Sequence, residues 1–201
     1  MVFTLPAKPN VSAMIDVRDG GEAAADAMMG IGARSGSGDR LGYQVYRGLI
    51  DDKVLTYAQW SDREPAQAWL AAHGNELNTI GRPGMWTARI YKVSSSANRG
   101  EIDLNTDDAV IAHTGLFAMR DKSDQAEMLR RGAEAAEVAV KETPELLTAN
   151  FHGSLDQQRV VNLGFWTSEA AFKQFVKDTP FPSNYWSDIA DNEPGLYRRL
   201  D

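Results

Sequence analysis

The sequence contains no cysteine among its 201 residues, and this absence excludes several classes of function. Disulfides, zinc–thiolate sites, iron–sulfur clusters and thiol nucleophiles all require a cysteine side chain. Long apolar runs are also missing, since no segment approaches the roughly 20 residues that a helix needs to span a bilayer. The first residues, MVFTLPAKPNVSAMIDV, lack the basic start and long apolar core of a signal peptide. We therefore expect a soluble, cytoplasmic protein with no membrane partner.

The sequence contains fewer basic than acidic residues. The chain has 21 Lys and Arg residues against 28 Asp and Glu residues, which gives a net charge of −7. A nucleic-acid-binding surface is usually basic, so we expect no nucleic-acid partner. Apolar residues nonetheless make up 43% of the chain, which is enough for a substantial core. The composition favours a neutral or weakly charged organic molecule as the partner.

Histidine is scarce. The three histidines, His73, His113 and His152, are far apart in sequence, and no two have the spacing of metal ligands on one helix or strand. The glycine-rich stretch GIGARSGSGD follows a predicted helix and has no closing Lys-Ser or Lys-Thr, so it does not predict a phosphate loop. We therefore expect no bound metal and no cofactor.

The composition changes near the middle of the chain, where residues 94–108 read SSSANRGEIDLNTDD. This polar stretch without periodicity is typical of a linker. Four residue types recur in the same order on its two sides: Gly48, Asp51, Val54 and Trp60, then Gly153, Asp156, Val160 and Trp166. The recurrence predicts a tandem repeat, with one domain at residues 1–93 and the other at residues 109–201.

Each half predicts the order strand, helix, strand, strand, helix, strand. The predicted elements of the first half are strands at 11–17, 41–48, 53–60 and 84–93, and helices at 21–34 and from Asp62. Those of the second half are strands at 110–119, 147–154, 159–166 and 196–200, and helices that begin at Ser123 and after Thr167. Ser123 is the predicted N-cap of its helix, whose predicted apolar face is Ala126, Leu129, Ala133, Ala136 and Val140.

A βαββαβ unit forms a four-stranded antiparallel sheet with both helices on one face. The other face stays apolar and must be covered. Two copies can cover each other, so we predict an α+β fold of two tandem ferredoxin-like units whose sheets pack face to face. This is a dimeric α/β barrel formed within one chain. Such a pseudo-dimer is expected to be a monomer or to form a homodimer.

Asn162 is unusual in the segment VVNLGFWTSEAAFKQF, because the strand around it is apolar. An unpaired asparagine in a core costs about 1–3 kcal/mol. Strand alternation places Asn162, Gly164 and Trp166 on one face, and Gly164 leaves a hollow in which a flat ring fits. Two interpretations stay open. Either neighbouring backbone satisfies Asn162, or its amide donates to a substrate oxygen with the indole N–H of Trp166 nearby.

The stretches VNLGFWTSEAAFKQF and YAQWSDREPAQAWLAAH resemble the antibiotic biosynthesis monooxygenase family. The resemblance rests on a strand ending in N-x-x-x-W, followed by Ser or Thr and an acidic helix start. It covers nearly the whole chain as two copies and implies a dimeric α+β barrel. Similar members oxidise anthrone-like aromatic polyketides to quinones with O₂ and use no metal, flavin or haem, whereas other members degrade haem.

The resemblance also implies roles for individual residues. The pocket-lining Asn and Trp of the polyketide oxygenases fall on Asn162 and Trp166, which we expect to be catalytic because hydrogen-bond donors stabilise an enolate. The first half has Thr56 in place of the Asn and keeps Trp60, so we predict one working pocket, in the second half. The family's Tyr, six residues past the Trp, is Phe172 here, and we expect Phe172 to bind substrate.

Three further residues are candidates for substrate binding. His113 lies in an apolar strand, where it is either a general base or a structural residue. Tyr185 and Trp186 belong to the aromatic stretch FPSNYWSD, which is either a lid over the pocket or part of the core. His73 and Trp69 share a helix face and resemble the His and Trp of haem-degrading relatives, although their spacing differs.

Three functions of different kinds remain open from the sequence. The favoured one is a cofactor-independent oxygenase that acts with O₂ on an aromatic polyketide of the anthrone or naphthol type. The second is a protein of the same fold that binds or degrades haem or another small ligand. The third is a non-catalytic partner in a biosynthetic cluster.

Overall fold

The computed structural model describes residues 4–5, 11–35, 39–82, 84, 86–106, 111–179 and 185–200. Within these ranges the first half of the chain contains β1 (Thr4–Leu5), β2 (Ser12–Asp19), α1 (Gly21–Arg34), β3 (Arg40–Gly48), β4 (Lys53–Trp60), α2 (Arg63–Leu77), β5 (Arg89–Asn98) and β6 (Ile102–Asp103). The second half contains β7 (Ile111–Met119), α3 (Asp124–Glu142), β8 (Leu146–Ser154), β9 (Arg159–Trp166), α4 (Glu169–Asp178) and β10 (Ala190–Arg199).

Eight antiparallel strands close into a barrel in the order β10-β3-β4-β2-β5-β8-β9-β7. The first half contributes the run β3-β4-β2-β5 and the second half contributes β8-β9-β7-β10. When the four long strands of each half are numbered along the chain, both runs have the order 2-3-1-4. This is the strand order of a ferredoxin-like sheet. The short strands β1 and β6 pair separately, outside the barrel.

The closed barrel is compatible with the predicted α/β barrel. The prediction described two sheets packed face to face, and the structure adds that these sheets are joined at their edges. β5 pairs with β8 from Tyr91 opposite Ser154 to Asn98 opposite Thr148. β10 pairs with β3 over a shorter stretch that ends with Arg199 opposite Tyr46. Open sheets expose unpaired N–H and C=O groups at their edges, and closure into a barrel removes those edges.

Two strands, β5 and β10, extend by five or six residues beyond their predicted ends. β5 continues to Asn98, through residues that were predicted to belong to the linker, because its backbone pairs with β8 and Ser96 Oγ donates to Asn150 Oδ1 at 2.6 Å. β10 begins at Ala190, well before the predicted start at residue 196, because it pairs with β7 along its length. Residues 107–110, at the predicted join of linker and strand, lie outside the described ranges.

The strands divide the apolar core between the barrel interior and its outer face. Val161, Leu163 and Phe165 of β9 pack inside the barrel. Val160 and Trp166 of the same strand pack outside it, beneath α3 and α4. The predicted alternation of β9 is therefore confirmed. α1 and α2 cover the outer face of the first half in the same way.

The helices confirm some predicted details and correct others. α1 has the predicted bounds, whereas Ser123 does not cap α3 with its side chain and instead donates to Asp121 Oδ1 at 2.6 Å. The buried face of α3 consists of Gln125, Met128, Gly132, Ala135, Ala136, Ala139 and Val140, so the predicted face is shifted by about one residue. Within the described residues, no helix combines the length and the apolar character needed to cross a membrane.

Candidate active site

A cavity of about 250 Å³ lies between the outer face of the second-half strands and the helices α3 and α4. Its walls are aromatic and aliphatic, and include Phe117, Phe151, Phe172, Phe175 and Trp186. His113 and Asn162 line the same space. No Asp, Glu, Lys or Arg side chain is among the described residues that line it. The cavity therefore suits an uncharged ligand with an extensive apolar surface.

The structure brings together five of the six residues that the sequence analysis singled out. Asn162, Trp166, His113, Phe172 and Trp186 all line the cavity. Tyr185 is not among the lining residues. Its ring meets the ring of Trp186 edge-on, with the centroids 4.5 Å apart. Residues 181–184 of the aromatic stretch lie outside the described ranges.

The hollow over Gly164 is filled by a ring of the protein itself. His113 on β7 lies directly opposite Gly164 on β9, and a Cβ atom at Gly164 would come within 2.1 Å of His113 Cε1. The imidazole also stacks on the Phe172 ring, with the centroids 5.4 Å apart and the planes at 27°. The hypothesis that a substrate ring rests on Gly164 is therefore wrong.

His113 has a hydrogen-bonding side chain at each of its ring nitrogens. The indole Nε1–H of Trp166 donates to His113 Nδ1 at 2.7 Å. The carboxamide Nδ2 of Asn162 lies 3.2 Å from His113 Nε2. The question that Asn162 raised in the sequence therefore has a partial answer, because one end of its side chain is held by a histidine rather than by backbone.

Burial lowers the pKa of His113 from its ordinary 6.5 to about 4. The imidazole is therefore neutral at physiological pH. Charging it would require a proton on a nitrogen that already faces an N–H donor or a carboxamide. A neutral ring with both nitrogens engaged is poorly suited to accept a proton from substrate, so the geometry favours a structural role over the general-base alternative.

Sequence reasoning missed the wall that α3 contributes. A Cβ at Gly132 would come within 2.5 Å of Phe151 Cε1, so the missing side chain lets the helix approach the ring. Ala136 and Ala139 continue this stripe of small residues along the cavity. The recurrence of Gly and Ala at positions 132, 136 and 139 was the available signal, and the predicted apolar face included only Ala136 of the three.

The equivalent place in the first half is filled. Asp16 lies opposite Thr56, as Gly115 lies opposite Asn162. Arg18 donates to both carboxylate oxygens of Asp16 at 2.6 Å, and this buried ion pair is anchored further by the Leu77 and Ile80 carbonyls.

Aromatic packing completes the filling of the first half. The rings of Trp60 and Trp69 pack with their centroids 5.5 Å apart, and Trp69 stacks on His73 at 4.5 Å. The predicted sharing of a helix face by Trp69 and His73 is confirmed. Both residues lie in the first half, away from the cavity that Asn162 lines.

The residues of the cavity do not fit a haem group. Haem iron takes an axial ligand such as a histidine nitrogen, and His113 has both nitrogens occupied by neighbouring side chains. The described lining also carries no cationic side chain to balance the two propionates. Elsewhere in the described ranges, no cluster of three or more His, Asp or Glu side chains is arranged to hold a metal ion.

No protein-family model and no curated protein matches the sequence. Solved structures do match the fold. An anthrone oxidase-like protein superposes with a TM-score of 0.76 at 13% identity, over 98% of this chain and 94% of the other. A ferredoxin-fold protein of Listeria monocytogenes, related to antibiotic biosynthesis monooxygenases, gives 0.58 at 15% identity, over 96% of both chains.

A third match shows how widely this fold is used. A major regulator of staphylococcal pathogenesis superposes with a TM-score of 0.60 at 6% identity, over 94% of this chain and 99% of the other. The resemblance inferred from the sequence is thus confirmed for the fold. At such identities the likeness shows the fold alone, because one fold hosts many functions.

Proposed function

We propose that the protein is a cofactor-independent oxygenase that oxidises a small, uncharged aromatic ketone or phenol of the anthrone or naphthol type to a quinone with O₂. One observation carries the proposal. Two carboxamides, those of Asn162 and Asn192, line an apolar cavity with aromatic walls, and that of Asn162 lies 3.2 Å from a neutral histidine. The likeness to an anthrone oxidase-like protein supports this choice of substrate class.

The reaction balances without an external reductant. An anthrone first loses a proton from its methylene carbon to give an enolate. The enolate passes one electron to O₂, the two radicals combine at that carbon, and protonation gives a hydroperoxide. Loss of water from the hydroperoxide breaks the O–O bond and the remaining C–H bond, and leaves the second carbonyl of the quinone. One oxygen atom enters the product and the other leaves as water.

The protein's part in this scheme is to bind the ring and to stabilise the enolate oxygen. A donor aimed at a developing oxyanion acts strongly in a site with little water. The described lining residues include no carboxylate, lysine or tyrosine that could serve as a base. The proton therefore leaves to solvent from a substrate whose acidity is raised by the stabilised enolate.

In this proposal the two halves are tandem copies of one unit. Together they form, within one chain, the barrel that two separate chains form in a dimeric relative. The protein is then a monomer. The same strand order in each half supports this view, as does the shared register of Trp60 and Trp166. One copy has kept a cavity and the other has filled it.

Oxygen consumption with anthrone tests the proposal directly. We expect one O₂ consumed for each anthraquinone formed, at a rate proportional to protein concentration and unchanged by a chelator. The anthraquinone is followed by absorbance. Oxidation no faster than in buffer, or oxidation that requires added metal or flavin, contradicts it.

The alternative functions give different results in the same assays. A haem-binding protein would show a saturable Soret shift on titration with haem, which we do not expect because His113 is engaged. A non-catalytic binding protein would bind anthraquinone without consuming oxygen. Either result would replace the proposed activity by the corresponding alternative.

A further inference from the structure

We infer that His113 is a positioning residue that sets the orientation of the Asn162 carboxamide. In its Nε2–H tautomer, His113 accepts a hydrogen bond from Trp166 and donates one to Asn162 Oδ1. The NH₂ group of Asn162 is then the donor that is available to a ligand. The orientation follows from the hydrogen-bond chemistry of three side chains. Its consequence for substrates rests on the proposed function.

The first step concerns Trp166. An indole Nε1–H is a donor and never an acceptor. At 2.7 Å from His113 Nδ1 it must donate to that nitrogen, so Nδ1 carries a lone pair and no hydrogen. A neutral imidazole has one N–H, and that hydrogen is therefore on Nε2.

The second step concerns the carboxamide. With Nε2 protonated, an Asn162 NH₂ group at 3.2 Å from it would bring two donors together. The oxygen and nitrogen of a carboxamide have nearly the same size, so a half-turn about χ2 places Oδ1 there without moving another atom. Oδ1 then accepts from Nε2–H.

An independent observation supports this half-turn. With Nδ2 beside the histidine, Asn162 Oδ1 is buried and has no hydrogen-bond donor among the residues that the structure describes. A buried acceptor without a donor costs about 1–3 kcal/mol. The half-turn gives Oδ1 a donor and directs the two N–H groups of Asn162 away from His113, on a side chain that lines the cavity.

The packing around His113 explains why the orientation is held. The imidazole lies between the Gly164 backbone and the Phe172 ring, and any side chain at position 164 would displace it. Trp166 fixes one ring nitrogen, and its indole N–H is thereby used within the protein rather than offered to substrate. The ligand that fits is thus an aromatic molecule with an acceptor oxygen, in the form of a ketone or an enolate.

The tautomer is measurable without a substrate. In ¹⁵N-labelled protein, long-range proton–nitrogen correlation spectra distinguish a protonated ring nitrogen from an unprotonated one. We expect His113 to show a protonated Nε2 and an unprotonated Nδ1 at neutral pH. In Trp166→Phe, which lacks the donor, we expect the proton to distribute between the two nitrogens. A protonated Nδ1 in the unaltered protein overturns the inference.

A matched pair of probes tests the direction of the amide. 1-Tetralone and tetralin share a bicyclic skeleton and differ in one carbonyl oxygen. We expect the protein to bind 1-tetralone a few-fold to about tenfold more tightly, as one neutral hydrogen bond provides. Asn162→Asp keeps an acceptor for Nε2–H but loses the NH₂ group, so it should bind the two probes equally while staying folded.

The outcomes separate this inference from the proposed activity. Equal binding of both probes by the unaltered protein, or binding of neither, overturns the donor role of Asn162. A preference for 1-tetralone that survives in Asn162→Asp does the same. If the tautomer and the probe preference hold while anthrone is not oxidised, the positioning role stands and the proposed function fails.

Discussion

The two halves of the barrel use the same strand order and differ in what lies under their helices. In the second half, His113 and Asn162 border a cavity, and Gly164 lies against the His113 ring. At the corresponding positions the first half has Met14, Thr56 and Ala58, with Asp16 opposite Thr56. The side chains of the second half therefore leave a space, and those of the first half close it.

The difference shows that the cavity depends on one glycine, Gly164, as much as on polar residues. Gly164 makes room for the imidazole, and Gly132 lets α3 approach Phe151. In the first half a Cβ at Ala58 and the buried Asp16–Arg18 pair occupy the corresponding region. A strand motif that ends in Trp is thus shared by both halves, and the surrounding residues decide whether it borders a site.

Breaking the ion pair of the filled half should give the largest effect on stability. Arg18→Leu leaves the Asp16 carboxylate buried without its cation, and we expect the free energy of unfolding to fall by about 3–5 kcal/mol. Urea unfolding measures this change. The double variant Asp16→Leu, Arg18→Leu should recover much of the loss. Arg130→Leu, which removes two exposed ion pairs, should change stability by about 1 kcal/mol or less. An Arg18→Leu protein as stable as the original would show that the pair is unimportant.

Removing the proposed donor, Asn162, should lower activity, whereas the equivalent change in the first half should not. Asn162→Ala should lower anthrone turnover by roughly 10²–10³, the usual cost of losing one preorganised donor. Thr56→Ala alters the equivalent position of the filled half and should leave turnover unchanged. Thermal unfolding of both variants serves as the control for folding. Full activity in Asn162→Ala, or a large loss in Thr56→Ala, would reverse the assignment of the working half.

Replacing Gly164 of the second half by alanine, the residue at position 58 of the first half, should lower stability and weaken ligand binding. Gly164→Ala places a Cβ within 2.1 Å of His113 Cε1, so the imidazole must shift and its contacts with Trp166 and Asn162 must weaken. We expect a loss of about 1–3 kcal/mol, as in other overpacked cores, together with weaker binding of 1-tetralone. Gly74→Ala on α2, where a Cβ meets nothing within 4 Å, should be neutral or slightly stabilising.

Acid should also destabilise the folded state through its buried histidines. The pKa values of His113 and His152 are both lowered to about 4, mainly by burial, so the folded state favours their neutral forms. Their contribution to stability is full above the unfolded value near 6.5 and is lost as the pH falls towards 4 and below. His113→Met, which copies Met14 of the first half, should lose less of its melting temperature between pH 7 and pH 4. An unchanged slope would mean that His113 does not titrate in this window.

The same pKa has a consequence for the reaction. Because His113 is neutral above about pH 5, anthrone turnover should show no inflection near pH 6.5 and should rise with substrate ionisation. A bell-shaped profile with a limb near pH 6.5 would instead indicate a histidine base.

Much of the fold could be predicted from local patterns. β9 and α1 have their predicted bounds. The extension of β5 to Asn98 could not be predicted, since its serine-rich end is held by backbone pairing with β8 and not by apolar side chains.

The candidate site was predictable residue by residue but not in its arrangement. The resemblance and strand alternation pointed to Asn162, Trp166 and Phe172. The position of His113 over Gly164 depends on the register between β7 and β9, which no local pattern encodes. The face of α3 was misjudged because Gly132 and Gln125, which are not apolar, lie on the buried side.

A crystal structure with bound 1-tetralone would test the central claim most directly. The account predicts the ligand in the cavity between β9 and the helices α3 and α4, with its carbonyl oxygen about 2.9 Å from Asn162 Nδ2. It also predicts that Trp166 Nε1 still donates to His113. A ligand bound beside Thr56 in the first half, or one in the cavity with its oxygen turned away from Asn162, would contradict the account.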